Sequence, residues 1–451
     1  MANFRPIDRA TPFLLPPSVD DWLGKDHLAR FVVDIVDQLD LSPLTEQYRG
    51  AGSAAYHPAV MLSLLIYGYA TGVYSSRRIE AATHDSIAFR YIAANEQPDH
   101  DSLCTFRKRF LPELTALFTK VLCIARQMKL LKLGTIALDG TKIHANASRH
   151  SALSYGRAEQ IEAQLEAEVK ELLHRAAAAD QEPLPAGLDI PEELTRRTER
   201  LAAIRAAKAA IEARAAERDA QAQAEHETKL QARAEKEART GKKPGGTPPA
   251  PPSTGVRATD QVNLTDPDSR IMPVTGKGFE QSYNAQAAVD TASMLVVATT
   301  LTQAPNDKHQ VEPMLAVLAS LPGNLGTAAQ LVADTGYFSA ANVEHCVAAK
   351  IEPLLAVGRN GHHPHWTDRF TEPPPLVEPA SAVEQMKHRL QTGVGRQLYG
   401  LRKQTVEPVF GIIKTAMGFR QFLLRGLAAV QGEWTLVTMA WNIKRMAMLA
   451  R

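Results

Sequence analysis

Residues 329–339 read Ala-Gln-Leu-Val-Ala-Asp-Thr-Gly-Tyr-Phe-Ser, an apolar run that stops on Asp334 and turns through Gly336. Such a run bounded by turn residues is a short strand, and the turn delivers the chain into a helix starting near Ala340. A second run has the same form: residues 134–137 lead into Leu138, Asp139, Gly140, Thr141, Lys142 and Ile143, a strand interrupted by a carboxylate. Between and after these lie further signals. Residues 284–289 and 294–301 alternate or run apolar and pair across a turn at 290–293; residues 308–321 are helical, and residues 353–357 form a fifth strand.

Strand, insert, strand, strand, helix, strand, helix, strand and a helical end make an α/β fold with a mixed sheet and flanking helices. The order fits a ribonuclease H-like core interrupted after its first strand. Working outward, residues 19–130 read as short helices. Leu28, Phe31, Val32, Ile35, Val36 and Leu39 recur at helical spacing within 26–44. Pro58 opens a helix over 59–71. A further helix runs from 102 to 129, capped by Asp101 or Ser102, with Arg107, Lys108 and Arg109 exposed. That small basic cluster has two readings, a DNA contact or a solubilised helix.

The inserted stretch 155–239 changes to Ala, Glu, Arg, Gln and Lys, broken once around Pro183, Pro185, Gly187 and Pro191. This composition means two long exposed helices, a hairpin or coiled coil. The expected division is therefore an all-helical domain at 1–130, a catalytic domain at 131–150 plus 257–451, a helical insertion at 151–240 and a flexible Gly/Pro-rich linker at 241–256.

The chain has 451 residues, 45% hydrophobic and 22% charged, enough for two or three globular domains. No apolar run approaches the roughly 20 residues of a membrane span, and residues 1–17 lack the order of a secretory signal, so the expected location is cytoplasmic. Cys104, Cys123 and Cys346 have no metal-type spacing and read as core thiols. Net charge is only +2, but residues 387–451 carry eleven Lys and Arg against Glu407 and Glu433. That end is the expected polyanion surface.

Asp139 and Asp334 each close an apolar strand, where desolvating a carboxylate is costly without a cation. Either alone reads as a turn or cap Asp. Glu407 is the third acid: positions 403, 407, 411 and 414 share a helical face, which projects Lys403, Glu407 and Lys414 together with Gly411 between. An intrahelical ion pair is one reading; a metal carboxylate beside phosphate-gripping cations is the other. Phosphoryl transfer by two divalent ions about 3.5–4 Å apart requires such a converging set, and magnesium accepts two or three carboxylates plus water.

The motifs are Asp26-His27-Leu28, Tyr56-His57-Pro58 and Pro98-Asp99-His100-Asp101-Ser102, then LDGTKIHANAS at 138–148, TDPDSRIM at 265–272, GFEQSYNAQAAV at 278–289, ADTGYFS at 333–339 and VEPVFGIIKTAMGFRQFLLRG at 406–426. Taken in this order, they make nearly the whole chain resemble a bacterial insertion-sequence DDE transposase of the IS4 and IS5 group, closest to the IS1182 family. The resemblance implies that Asp139, Asp334 and Glu407 are the catalytic, metal-binding triad for two Mg2+ ions, with Mn2+ able to substitute. It implies a Tyr, Arg, Glu, Lys signature at Tyr399, Arg402, Glu407 and Lys414. Here Arg402 lies one residue upstream of the expected slot and Lys403 fills it, so both stand as candidates. With Arg420 and Arg425 these are the expected DNA-contacting residues. The implied partners are double-stranded DNA, as terminal inverted repeats and target, and a second copy of the chain on DNA.

The expected reaction is hydrolysis at the transposon ends followed by attack of the freed 3′-hydroxyl on target DNA, with end recognition assigned to the N-terminal helices. Two other classes stand beside it: a metal-dependent nuclease or resolvase without strand transfer, and an inactive DNA-binding descendant. His345, Cys346, His362, His363 and His365 match no standard zinc spacing and read as surface loop. Asn284 and Gln286 face either the active centre or solvent from a strand edge.

Overall fold

Among the described residues of the computed structural model, which are 18–48, 55–178, 189–243, 245–274, 276, 278–358, 367, 371–377 and 380–451, eight helices precede the first strand. They are α1 (Val19–Trp22), α2 (Leu28–Asp37), α3 (Ser42–Thr45), α4 (Pro58–Thr71), α5 (Ser76–Asp85), α6 (Ile87–Ile92), α7 (His100–Phe110) and α8 (Leu114–Gln127). The periodic stretch 26–44 divides into α2 and α3 because Pro43 is accommodated only in a first helical turn. The expected helix over 102–129 likewise divides, and its cap is Asp99, which accepts the Ser102 N–H at 2.7 Å. Pro58 does open α4, whose residues are buried on every side. Residues 1–17, read as lacking the order of a secretory signal, lie outside the described residues.

The chain forms two units, Met1–Asn146 with Met272–Gly278 and Ser282–Arg451, and Ala147–Ile271 with Phe279–Gln281. After β1 (Thr135–His144) of the first, the second unit contributes β2 (Ala152–Ser154), α9 (Tyr155–Ala178), α10 (Ile190–Thr240) and β3 (Gln261–Asn263). Its hairpin has a narrow core of Leu165, Leu201, Ile204 and Ile211, continued by Leu153 and Val262 of the β2–β3 ladder. Outside this stripe charged side chains pair both within and between the helices, as Arg175 does with Glu171 at 2.6 Å and Arg205 with Glu162 at 2.9 Å. Pro183, Pro185 and Gly187 lie outside the described residues. The segment expected as a free linker runs along α10: Arg233 donates to the Gly246 carbonyl and Arg218 to that of Gly255, both at 2.8 Å.

The chain then continues through β4 (Arg270–Val274), β5 (Gly278–Asp290), β6 (Val296–Thr302), α11 (Val311–Ala319), β7 (Gln330–Ala333), α12 (Ala340–Ala348), β8 (Glu352–Leu355), α13 (Ala382–Gln391), α14 (Gly393–Gly411), a π turn at Ile412–Ala416 and α15 (Leu427–Leu449). The sheet order is β4-β5-β1-β7-β8, with β6 also paired to β5. β5 is antiparallel to β1 and β6; β1, β7 and β8 are parallel. The turn after β5 is tied by Asp290, which accepts the Ser293 N–H at 2.9 Å.

The last helix explains why the first eight belong to the sheet's unit. α15 packs on α2, α4, α8 and β6, burying Trp434 and Trp441. Asn442 seals β6 by accepting the Val296 N–H at 2.8 Å and donating to its carbonyl at 2.7 Å. Glu433, fully buried, accepts Tyr69 Oη–H at 2.7 Å and the N–H groups of Leu423 and Leu424 at 2.9 and 3.0 Å. Arg107 completes this network by donating to Tyr69 Oη at 3.2 Å. It is therefore not part of an exposed basic cluster; of the three expected cations only Lys108 and Arg109 are exposed. A buried Glu without such partners would be prohibitively costly to desolvate.

Candidate active centre

The parallel register pairs Ala137 with Val332. Continuing it by two residues sets Asp139 level with Asp334, just where β7 ends. The two acids are thus aligned by neighbouring parallel strands, a relationship their separation in sequence conceals. Asp334 caps the following turn, its Oδ1 accepting the Gly336 N–H at 2.8 Å. Asp139 Oδ1 accepts its neighbour Gly140 N–H at 2.8 Å.

α14 packs on β1 and β7 and brings the third acid. Arg402, with its side chain 10% exposed, places Nη2 2.9 Å from Glu407 Oε1 and Nη1 3.4 Å from Asp139 Oδ2. Lys403 is exposed. Lys403 and Glu407 are exposed one turn apart on α14, as the helical-face reading has them, but Arg402 rather than Lys403 pairs with the part-buried Asp139, and the π turn carries Lys414 past the end of α14. Lys414 Nζ donates to the Lys142 carbonyl at 2.8 Å. Tyr399 is half-buried beside Arg402.

Burial pushes the Asp139 carboxyl up to about 7; the Gly140 N–H and Arg402 oppose this, while the charges of Asp334 and Asp307 add to it. Burial likewise lowers Lys414, helped by Lys142 and Arg420. The segment after the π turn folds back on β1. The backbone N–H of His144 donates to the Arg420 carbonyl at 3.1 Å, Arg420 Nε donates to the Lys414 carbonyl at 2.9 Å, and Arg425 Nε donates to that of Asn146 at 3.0 Å. Other cations of the basic end are committed elsewhere: Lys444 donates to the Ala70 carbonyl, Arg445 to Ser293, and Arg389 pairs with Glu352 at 2.6 Å. The face near β1 thus keeps the exposed heads of Lys403, Arg420 and Arg425.

Sequence reasoning missed Asp307. Its Oδ1 accepts from Asn284 Nδ2 and Gln286 Nε2, each at 2.7 Å, and Lys142 Nζ lies 3.9 Å from Oδ2. Asn284 and Gln286 are wholly buried, which overturns the half-solvated strand reading. No spacing signal marks Asp307, because it stands in the loop before α11 and meets β5 only in the folded chain. The donor set, all carboxylate oxygen, matches the hard-ligand chemistry of magnesium. Among the described residues no group of three His, Cys, Asp or Glu side chains converges on one point, and Arg402 stands between Asp139 and Glu407. His345 and Cys346 gather no metal set either, and His362, His363 and His365 lie outside the described residues. No single described helix is long and apolar enough to cross a membrane.

Two family models match the chain. One, a Transposase domain (DUF772), covers residues 17–109, and the other, a Transposase DDE domain, covers residues 253–443. Asp334 and Glu407 fall within the second; Asp139 falls outside both, and its assignment rests on the strand register. No match was found among curated proteins or solved structures. The order of the two domains, the helical one first and the DDE domain on the sheet and its last helices, places the chain in the insertion-sequence DDE transposases, with the architecture of the IS1182 type.

Proposed function

We propose that this transposase cleaves DNA at the ends of its element and joins the freed 3′-hydroxyls to target DNA, using Asp139, Asp334 and Glu407 as its triad on a ribonuclease H-like core. The observation that carries the reading is the register that levels Asp139 with Asp334 in a chain containing a DDE domain. Two divalent ions, magnesium or manganese, would be held by Asp139, Asp334 and Glu407 and would supply electrostatic stabilisation of the pentavalent phosphate and activation of the attacking oxygen.

The chain's own residues do the rest. Asp139 must be ionised, and the neighbouring Arg402 favours that form. Arg402 also orients Glu407. Lys414, Arg420 and Arg425, with Tyr399 and Lys403, border the route of a phosphate backbone, an affinity that falls with salt. Residues 1–130 read the element's terminal repeats, residues 151–240 form an arm for pairing two copies on DNA, and the reaction takes place in the cytoplasm.

The test is a labelled terminal-repeat duplex incubated with magnesium or manganese, with Asp139→Asn, Asp334→Asn and Glu407→Gln in parallel. Each variant is expected to bind the duplex but to yield neither nicked nor joined product, since an amide keeps the volume and removes the charge. Cleavage by any one removes that residue from the triad; cleavage without joined product by the wild type favours the nuclease reading.

A further inference from the structure

Asp307 has no assigned part in the reaction, yet it is tied to both strand-borne acids. Its Oδ1 accepts the amides of Asn284 and Gln286 at 2.7 Å each. Gln286 in turn accepts Tyr337 Oη–H through Oε1, and Tyr337 closes the turn that begins at Asp334. Gln286 and Asn284 stand opposite Gly140 and Lys142 in the β1–β5 register, so the same carboxylate lies over the residue that follows Asp139. Gly140 is the reason it fits: a Cβ there would sit 2.2 Å from Gln286 Nε2 and 2.6 Å from Asp307 Oδ1. On the other side, a Cβ on Gly336 would lie 3.0 Å from Asp334 Oδ1 and 3.8 Å from Asp307 Oδ2, which puts the two carboxylates around one small space.

We propose that Asp307 is a positioning residue for transposition: through Gln286 and Tyr337 it fixes the turn carrying Asp334 against the β1 segment carrying Asp139. A carboxylate suits this place because both amide donors must be accepted at one point in a buried region, and a charged acceptor makes shorter, stronger bonds than a neutral one. Lys142 compensates the charge. The inference rests on the proposed triad.

Three variants separate the roles. Asp307→Asn keeps an oxygen able to accept both amides, Asp307→Ala removes it, and Tyr337→Phe removes only the far hydroxyl. The readouts are thermal unfolding, binding of terminal-repeat duplex, Mn2+ affinity by electron paramagnetic resonance, and single-turnover cleavage at saturating duplex and Mn2+. Asp307→Ala and Tyr337→Phe are expected to bind duplex and remain folded at the assay temperature, with cleavage slowed by about 100-fold and 10-fold, on the order that small misplacement costs. Asp307→Asn is expected within a few-fold of wild type, with Mn2+ affinity unchanged. Wild-type cleavage by Asp307→Ala overturns the inference; should that variant not fold, wild-type cleavage by Tyr337→Phe does so. An Asp307→Asn variant as slow as the alanine variant, with weakened Mn2+ binding, also overturns it and makes Asp307 a metal-holding group. Asp139→Asn run alongside distinguishes the two levels: if it cleaves normally, the triad itself is wrong.

Discussion

Arg402 pairs with Glu407 at 2.9 Å from a position five residues earlier, while its Nη1 donates to Asp139 Oδ2 at 3.4 Å. One guanidinium therefore serves two carboxylates that come from different elements. Arg402→Ala is expected to lower the stability of the metal-free protein by about 1–3 kcal/mol, the range for leaving a desolvated polar group without its partner. Mn2+ should then stabilise the variant more than the wild type, because the carboxylates have lost their resident cation. Equal stabilisation in urea titrations with and without Mn2+ would show that the arginine and the ion do not compete.

The raised Asp139 carboxyl sets a pH window. Its folded value is about 7 against an ordinary 3.8, so between these the folded protein holds the proton that the unfolded chain has released. Stability of the metal-free wild type is expected to fall as pH rises through roughly 4 to 7 and to level off above. Asp139→Asn lacks this titration, and its stability advantage should widen over the same window. A pH-independent gap between the two melting curves contradicts the assignment.

Lys414 sits where cations crowd: burial lowers its pKa first, and the nearby Lys142 and Arg420 add to this. Such crowding is relieved by a phosphate. Lys414→Ala should weaken duplex binding and reduce the slope of log affinity against log salt by about one unit. An unchanged slope assigns Lys414 to its bond with the Lys142 carbonyl alone.

Glu433 holds Tyr69 of α4 and the backbone of Leu423 and Leu424. Glu433→Ala leaves Arg107 as a buried cation without its counter-charge and is expected to cost about 3–5 kcal/mol. Chemical denaturation measures this, and a loss below about 1 kcal/mol shows that water reaches the network.

The arm has its own apolar stripe, and Ser154 and Gln261 stand opposite each other in the β2–β3 ladder. Joining them by a short Gly-Ser link, which deletes α9 and α10, should leave the remaining protein with a cooperative unfolding transition. A non-cooperative or absent transition by calorimetry refutes an autonomous arm.

Local pattern was sufficient to determine much of this protein. The strand that stops at Asp334, the helical hairpin, the turn at 290–293 and the opening of α4 at Pro58 all follow from periodicity and turn chemistry, which act over a few residues. Asp139, read as a strand end, instead lies mid-strand because β5 pairs with β1 as far as His144. Tertiary structure decided the rest. Whether Arg402 or Lys403 faces the acids depends on the burial of Asp139 against α14, not on helical phase. Arg107 looks like its exposed neighbours in sequence, and only the meeting of α4, α7 and α15 makes it a buried counter-ion. Asp307 joins Asn284 and Gln286 across more than twenty residues because β5 and the loop before α11 are brought together by the sheet. Contacts between distant segments depend on packing and desolvation, which no local spacing encodes.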